Sequence, residues 1–147
     1  MKILIVGAGL GGLTLAAFLN DSEIEYEIIE KASFLGPQGY SIGFWNNGRN
    51  ILKKLGLAEN FDTHSKSVRN YYICNGAGRV LRRYNLSNFY SSYGMALSLI
   101  DRAYLHKWLM EKINVEKIRT NLSIDSIVQN TNEVTANFSD GTSQNYD

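Results

Sequence analysis

One cysteine, one proline, two histidines and a net charge of only +1 exclude several kinds of protein at once. The lone Cys74 cannot build an internal disulfide framework, and it fits a reducing compartment, here taken as the cytoplasm. It sits in the strand-like Tyr71-Tyr72-Ile73-Cys74, where a buried thiol acting as apolar filler is expected. His64 and His106 have no partner at metal-ligand spacing. No metal site is expected, and both read as surface or capping residues. The balanced charge and the lack of a basic block argue against a nucleic-acid partner. No apolar run is long enough to span a membrane. The Asn-x-Ser sequons at Asn85, Asn121 and Asn137 carry no weight without a secretion signal. Serine and cysteine form no nucleophile elbow, and no residue reads as a general base. Catalytic residues stay unassigned.

What the chain does have is concentrated in its first thirty residues. Ile3-Leu4-Ile5-Val6 is continuously apolar, as a strand buried on both faces of a parallel sheet should be. Gly7-Ala8-Gly9-Leu10-Gly11-Gly12 follows directly, and Leu13 to Leu19 keeps apolar residues at helical spacing. In such a turn Gly7 allows the tight bend, and Gly9 lets a pyrophosphate approach the backbone. Gly12 lets the helix pack on the strand, and the helix start offers N–H groups and a positive dipole end. A second strand, Tyr26-Glu27-Ile28-Ile29, ends in Glu30, where the fold accepts hydrogen bonds from a ribose hydroxyl. Together these predict a dinucleotide site rather than a merely glycine-rich turn. A signal peptide is the competing reading, because Lys2 precedes a long uncharged stretch. The glycines would break its apolar core, and the motif runs on in register to Glu30.

At 147 residues the chain can hold one domain with a sizeable core. Ser41 to Phe44 alternates as a strand, and Asn46 or Asn47 is placed to cap a helix through Ile51, Leu52 and Leu55. Gly56 ends that helix, with Leu57 folding back, and Ala58 to Thr63 reads as a short helix. Val68 to Cys74 and Arg79 to Tyr84 form a hairpin about Asn75-Gly76-Ala77-Gly78. Asn85 to Tyr93 reads as a loop and Met95 to Leu99 as a strand. Asp101 caps a helix with Tyr104, Leu105, Trp108 and Leu109 on one side. Lys117 to Arg119, Ser123 to Gln129 and Val134 to Phe138 are short strands, with a turn at Asp140-Gly141. So few parallel strands lead us to expect the N-terminal part of a longer protein.

Taken together, the glycine run with Glu30-Lys31, the segment from Gly39 to Leu57 and Leu99-Ile100-Asp101-Arg102-Ala103-Tyr104-Leu105 resemble a known family. They look like the N-terminal part of FAD-dependent monooxygenases of the aromatic-hydroxylase type, a group that includes the tetracycline-inactivating monooxygenases. The resemblance covers essentially the whole chain. It implies an α/β fold: a Rossmann-like FAD-binding domain with a parallel sheet, spanning 1–147. Residues of about 68–99 would start an antiparallel substrate-domain sheet, and the domain would be incomplete. It implies that Gly7, Ala8, Gly9, Leu10, Gly11 and Gly12 cradle the FAD pyrophosphate and that Glu30 holds the adenosine ribose. Lys31 would lie near the adenine, and Arg102 would reach the ribityl or phosphate region.

In the loop from Gly36 to Gly43 the family often carries arginine, where this chain has Pro37 and Gln38. Tyr84, Tyr93 and Met95 fall in or beside the substrate sheet and receive no role. The implied reaction reduces FAD with NADPH or NADH and puts one oxygen atom on a small organic, aromatic or polycyclic, substrate. Three readings stay open beside it: an NAD-binding dehydrogenase domain, a related flavoprotein oxidoreductase, and a catalytically inactive dinucleotide-binding fragment. Oligomeric state has no readable signal.

Overall fold

The computed structural model describes residues 1–36, 40–93 and 97–147, without the side chains of Asn88, Phe89, Ser92 and Tyr93. In chain order the elements are β1 (Lys2–Val6), α1 (Leu10–Leu19), β2 (Glu25–Glu30), β3 (Ser41–Trp45), α2 (Asn46–Lys54) and α3 (Ala58–His64). Next come β4 (Lys66–Ser67), β5 (Asn70–Cys74), β6 (Val80–Asn85), α4 (Leu86–Tyr93), β7 (Leu97–Asp101) and α5 (Arg102–Met110). A 3₁₀ turn (Val115–Lys117) leads into β8 (Ile118–Thr120), β9 (Ile124–Gln129), β10 (Val134–Phe138) and β11 (Ser143–Tyr146). The chain divides into two compact units, 1–38 with 106–147 and 39–105.

In the first unit, β1, β2 and β8 form a parallel sheet in the order β1-β2-β8, with Ile3 opposite Tyr26 and Ile5 opposite Ile28. The connection from β1 to β2 is α1, the crossover that a parallel pair requires. Alternation along the strands separates two faces. Ile5 lies beside α1, where its Cγ2 is near Gly12. Leu4 and Ile29 pack on the other face against Leu122, Ala136, Phe138 and Tyr146. That second layer is the antiparallel meander β9-β10-β11. Ile28 and Ile29 are both buried, so β2 is covered on both sides and its apolar run needs no polar face. Each large side chain in this core contributes roughly 1.5–3 kcal/mol by leaving water.

Polar groups bind the two layers together as well. Arg119 on β8 reaches Glu27 of β2 at 3.1 Å and Asp140 of the β10–β11 turn at 3.0 Å. The Tyr146 hydroxyl donates to the second Glu27 oxygen at 2.9 Å. Burial pushes the Tyr146 phenol well above its usual range, and the Glu27 carboxylate adds to the effect. Tyr146 therefore stays a donor at any ordinary pH.

In the second unit β3, β7 and β4 form an antiparallel sheet in the order β3-β7-β4, and β5 and β6 form a separate hairpin. Helix α2 ends as its sequence predicts. Gly56 takes a φ of +71°, the Leu57 N–H bonds the Leu52 carbonyl at 2.8 Å, and the Gly56 N–H bonds Lys53 at 3.1 Å. Leu52 and Leu57 are both buried, which supplies the apolar contact that accompanies this cap. An Arg49–Asp62 ion pair ties α2 to α3.

Four expectations are corrected here. Asn85 to Tyr93 is not wholly loop: α4 occupies Leu86–Tyr93, because the Asn85 side chain accepts the Ser87 N–H at 2.9 Å and caps the first turn. The cap of α2 is Trp45, with Asn46 already the first helical residue. Cys74 is exposed, because every residue of the β5–β6 hairpin is exposed. Tyr104 is exposed too, although Leu105, Trp108 and Leu109 of the same helix are buried. The Pro37-Gln38 stretch, Met95 and the Tyr93 side chain lie outside the described residues. Among the described residues no helix is long and apolar enough to cross a membrane.

Candidate dinucleotide site

The carboxyl end of β1 turns into α1 within three residues, and each backbone group of that turn has a reason for its direction. Gly7 sits at φ +103°, a conformation that a side chain would strain, and its N–H reaches the Ile29 carbonyl at 2.7 Å. The Ala8 N–H donates to Glu30 Oε2 at 2.9 Å. Gly9 is the N-cap of α1 in extended geometry and has no side chain to satisfy the helix's first N–H groups. At Gly12 the reason is space rather than backbone angle. A Cβ there would collide with the Gly7 carbonyl oxygen and press on Ile5 Cγ2 at 3.1 Å.

Gly9 and Gly11 face the opposite situation. A Cβ at either would meet no heavy atom within 4 Å. Bare backbone therefore borders open space at the positive end of α1, which is where an anion gains from unpaired N–H groups and the helix dipole. The residues present fit the pyrophosphate of a dinucleotide.

Glu30 stands at the end of β2 with both carboxylate oxygens used, Oε1 by the Ala32 N–H at 2.9 Å and Oε2 by Ala8. The Ala32 bond first, then the Ala8 bond and the Lys31 charge, hold its carboxyl below the usual glutamate range against the opposing effect of burial. It is ionised at neutral pH. Each oxygen keeps a second acceptor direction, so a ribose hydroxyl can still be received. Lys31 is exposed beside it.

The structure thus brings Gly7 through Gly12 and Glu30 into one bonded group, with Lys31 at its margin. Arg102 belongs to the second unit. There it opens α5, its N–H bonds the Tyr40 carbonyl at 3.0 Å, and its guanidinium lies 5.4 Å from the Tyr40 ring centre. The Asp101 side chain accepts the Ala103 N–H at 2.9 Å, capping α5 as its sequence predicts.

One residue of the site was missed by sequence reasoning. His106 is neither a surface nor a capping residue. It is 6% exposed, and its Nε2 lies 3.2 Å from the Ala8 carbonyl oxygen. The available signal was its place on α5 between Leu105 and Leu109, inside the helix's apolar arc. His64 is exposed, with Nδ1 at 2.9 Å from the Asn60 carbonyl.

Comparison with known proteins places this geometry in context. A family model described as FAD binding domain matches residues 1–147. An FAD-dependent urate hydroxylase from Mycolicibacterium vanbaalenii is 29% identical over 150 residues, covering 100% of this chain and 38% of that protein. The 3-amino-4-hydroxybenzoate 2-monooxygenase PtmB3 of Streptomyces platensis is 32% identical over 147 residues, covering 97% of this chain and 37% of that protein. Among solved structures, Klebsiella pneumoniae HpxO in complex with FAD and uric acid superposes with a TM-score of 0.76 at 23% identity, over 100% of this chain and 37% of that one. The tetracycline destructase Tet(55) gives 0.72 at 25% identity, over 99% of this chain and 36% of that one. The chain spans less than two-fifths of the length of these relatives.

Proposed function

The chain belongs to the FAD-binding domain family, and on that premise we propose that it is the FAD-holding part of a monooxygenase. The reaction is hydroxylation of a small organic substrate, aromatic or polycyclic, with NADPH or NADH and oxygen. The relatives' names, a urate hydroxylase and an aminohydroxybenzoate monooxygenase, support a flat ring compound as substrate. The single cysteine supports a cytoplasmic setting.

The observation that carries the reading is the bond from Ala8 N–H to Glu30, which joins the phosphate turn to the ribose acid beside bare backbone at Gly9 and Gly11. When bound, FAD supplies the transfer of reducing equivalents from nicotinamide to oxygen. The protein's part is binding and orientation. Gly9, Leu10, Gly11 and Gly12 present N–H groups to the pyrophosphate. Glu30, ionised, accepts from the adenosine ribose, and Lys31 adds a positive charge on that side. Arg102 is assigned to the ribityl or phosphate region. Its support is the resemblance of the Asp101-Arg102 helix start, together with a guanidinium that lies over the Tyr40 ring, 5.4 Å from its centre. Residues 1–147 act as the N-terminal part of the FAD-binding domain, with about 68–99 opening the substrate-domain sheet.

The test is the absorption spectrum of the purified chain after loading with FAD and removal of the excess. Flavin bands that stay with the protein support the assignment. A colourless protein that binds NAD makes it a nicotinamide dehydrogenase domain, and one that binds neither makes it an inactive relative.

A further inference from the structure

The buried imidazole of His106 has an assignment in the dinucleotide site. A carbonyl oxygen can only accept, so the 3.2 Å contact with Ala8 puts the proton on Nε2 and makes His106 the donor. The peptide that it grips is the one joining Ala8 to Gly9. No peptide bond described is cis. In a trans peptide the carbonyl and the following N–H point in opposite directions within one plane. Fixing the Ala8 carbonyl toward buried His106 therefore aims the Gly9 N–H the other way. Ala8 itself is 3% exposed, so its carbonyl is fixed in the interior.

This orientation is not guaranteed by the turn itself. Gly9 tolerates either sign of φ, so the Ala8–Gly9 peptide could rotate at little steric cost. Rotation would swing a carbonyl dipole toward the place of the anion and take an N–H away. The Glu30 bond holds the preceding peptide through the Ala8 N–H, and Leu13 N–H to Gly9 carbonyl at 2.9 Å holds the following one. His106 holds the one between. We propose that His106 is a positioning residue for dinucleotide binding: its Nε2–H locks the Ala8–Gly9 peptide with the N–H directed at the pyrophosphate. The assignment rests on the dinucleotide reading above.

Binding of FAD, ADP and adenosine to the full chain tests it, in wild type, His106→Leu and His106→Gln. Leucine keeps the bulk and removes the donor, and glutamine restores an N–H. His106→Leu should weaken FAD and ADP about tenfold, equivalent to about 1.4 kcal/mol. Adenosine, which lacks phosphates, should be affected less than twofold, and His106→Gln should recover most of the loss. Equal weakening of adenosine and ADP, or no change in His106→Leu while wild type binds, overturns the lock alone. Failure of wild type to bind FAD or ADP overturns the dinucleotide reading and the lock with it. If the leucine variant does not fold, nitrogen NMR of the wild-type ring decides. A proton on Nε2 before and after ADP addition is expected, and a ring protonated on Nδ1 alone contradicts the proposal.

Discussion

The glycine turn of the first unit and the β5–β6 hairpin of the second are built on opposite terms. In the turn, Gly7, Ala8 and Gly9 are fixed by Ile29, Glu30, His106 and Leu13, all within the same unit. In the hairpin, backbone pairing is complete from Asn70–Asn85 to Ile73–Arg82, yet every side chain is exposed on both faces. Local signals were equally clear in both, Gly-x-Gly-x-x-Gly in one and Asn-Gly-Ala-Gly in the other. What differs is tertiary support. A strand pattern reports extended backbone, and only packing partners decide whether that backbone lies in a core.

Truncating equally apolar side chains in the two regions sharpens the contrast most. Phe138→Ala, in the packed layer behind β2, should cost about 3–5 kcal/mol in urea unfolding. Leu81→Ala, at 58% exposure on β6, should change stability by less than about 0.5 kcal/mol. Equal losses would contradict the contrast between the packed layer and the exposed hairpin.

Gly12→Ala comes next. The methyl has no room against the Gly7 carbonyl, so a loss of about 1–3 kcal/mol is expected together with a much weaker FAD site. Thermal melting with and without FAD reads both. Gly76→Ala in the hairpin loop is the control, because a Cβ there meets nothing within 4 Å.

Glu30→Gln should cost about 1.5–3 kcal/mol at neutral pH, since it weakens two bonds to an ionised acceptor. The sign in pH follows from the depressed carboxyl. Its contribution is whole above the ordinary glutamate range and disappears as the pH falls through the lower folded-state value. Acid titration of stability should therefore be shallower in Glu30→Gln than in wild type, and parallel curves would remove Glu30 from the account. Asp62→Asn should also have a small effect, under about 1 kcal/mol, because the Arg49 pair is solvent-exposed.

Much of this was legible in the sequence, and the reasons are local. β1 is a continuous apolar run, the glycine turn and α1 follow it directly, β2 runs through Ile28-Ile29 to Glu30, and the Gly56–Leu57 ending of α2 is written in consecutive residues. Helix α4 was missed although Leu86, Phe89, Tyr90 and Tyr93 recur at helical spacing in the sequence and Asn85 one residue earlier carried the capping signal; the intervening serines and asparagine gave the segment the composition of a loop. His106 and Ala8 are far apart in the chain, and nothing within a short window joins them. The Arg119, Glu27, Tyr146 and Asp140 cluster is equally nonlocal. Arg102 was legible as a helix start after Asp101, and its place over the Tyr40 ring was not, since the two are brought together by pairing of β3 with β7.

Amide hydrogen exchange of the full chain, with and without FAD, tests the central claim most directly. The account predicts slower exchange in residues 8–13 and 30–32 on adding FAD, with residues 70–85 unchanged. Protection of the hairpin without the glycine turn would contradict it.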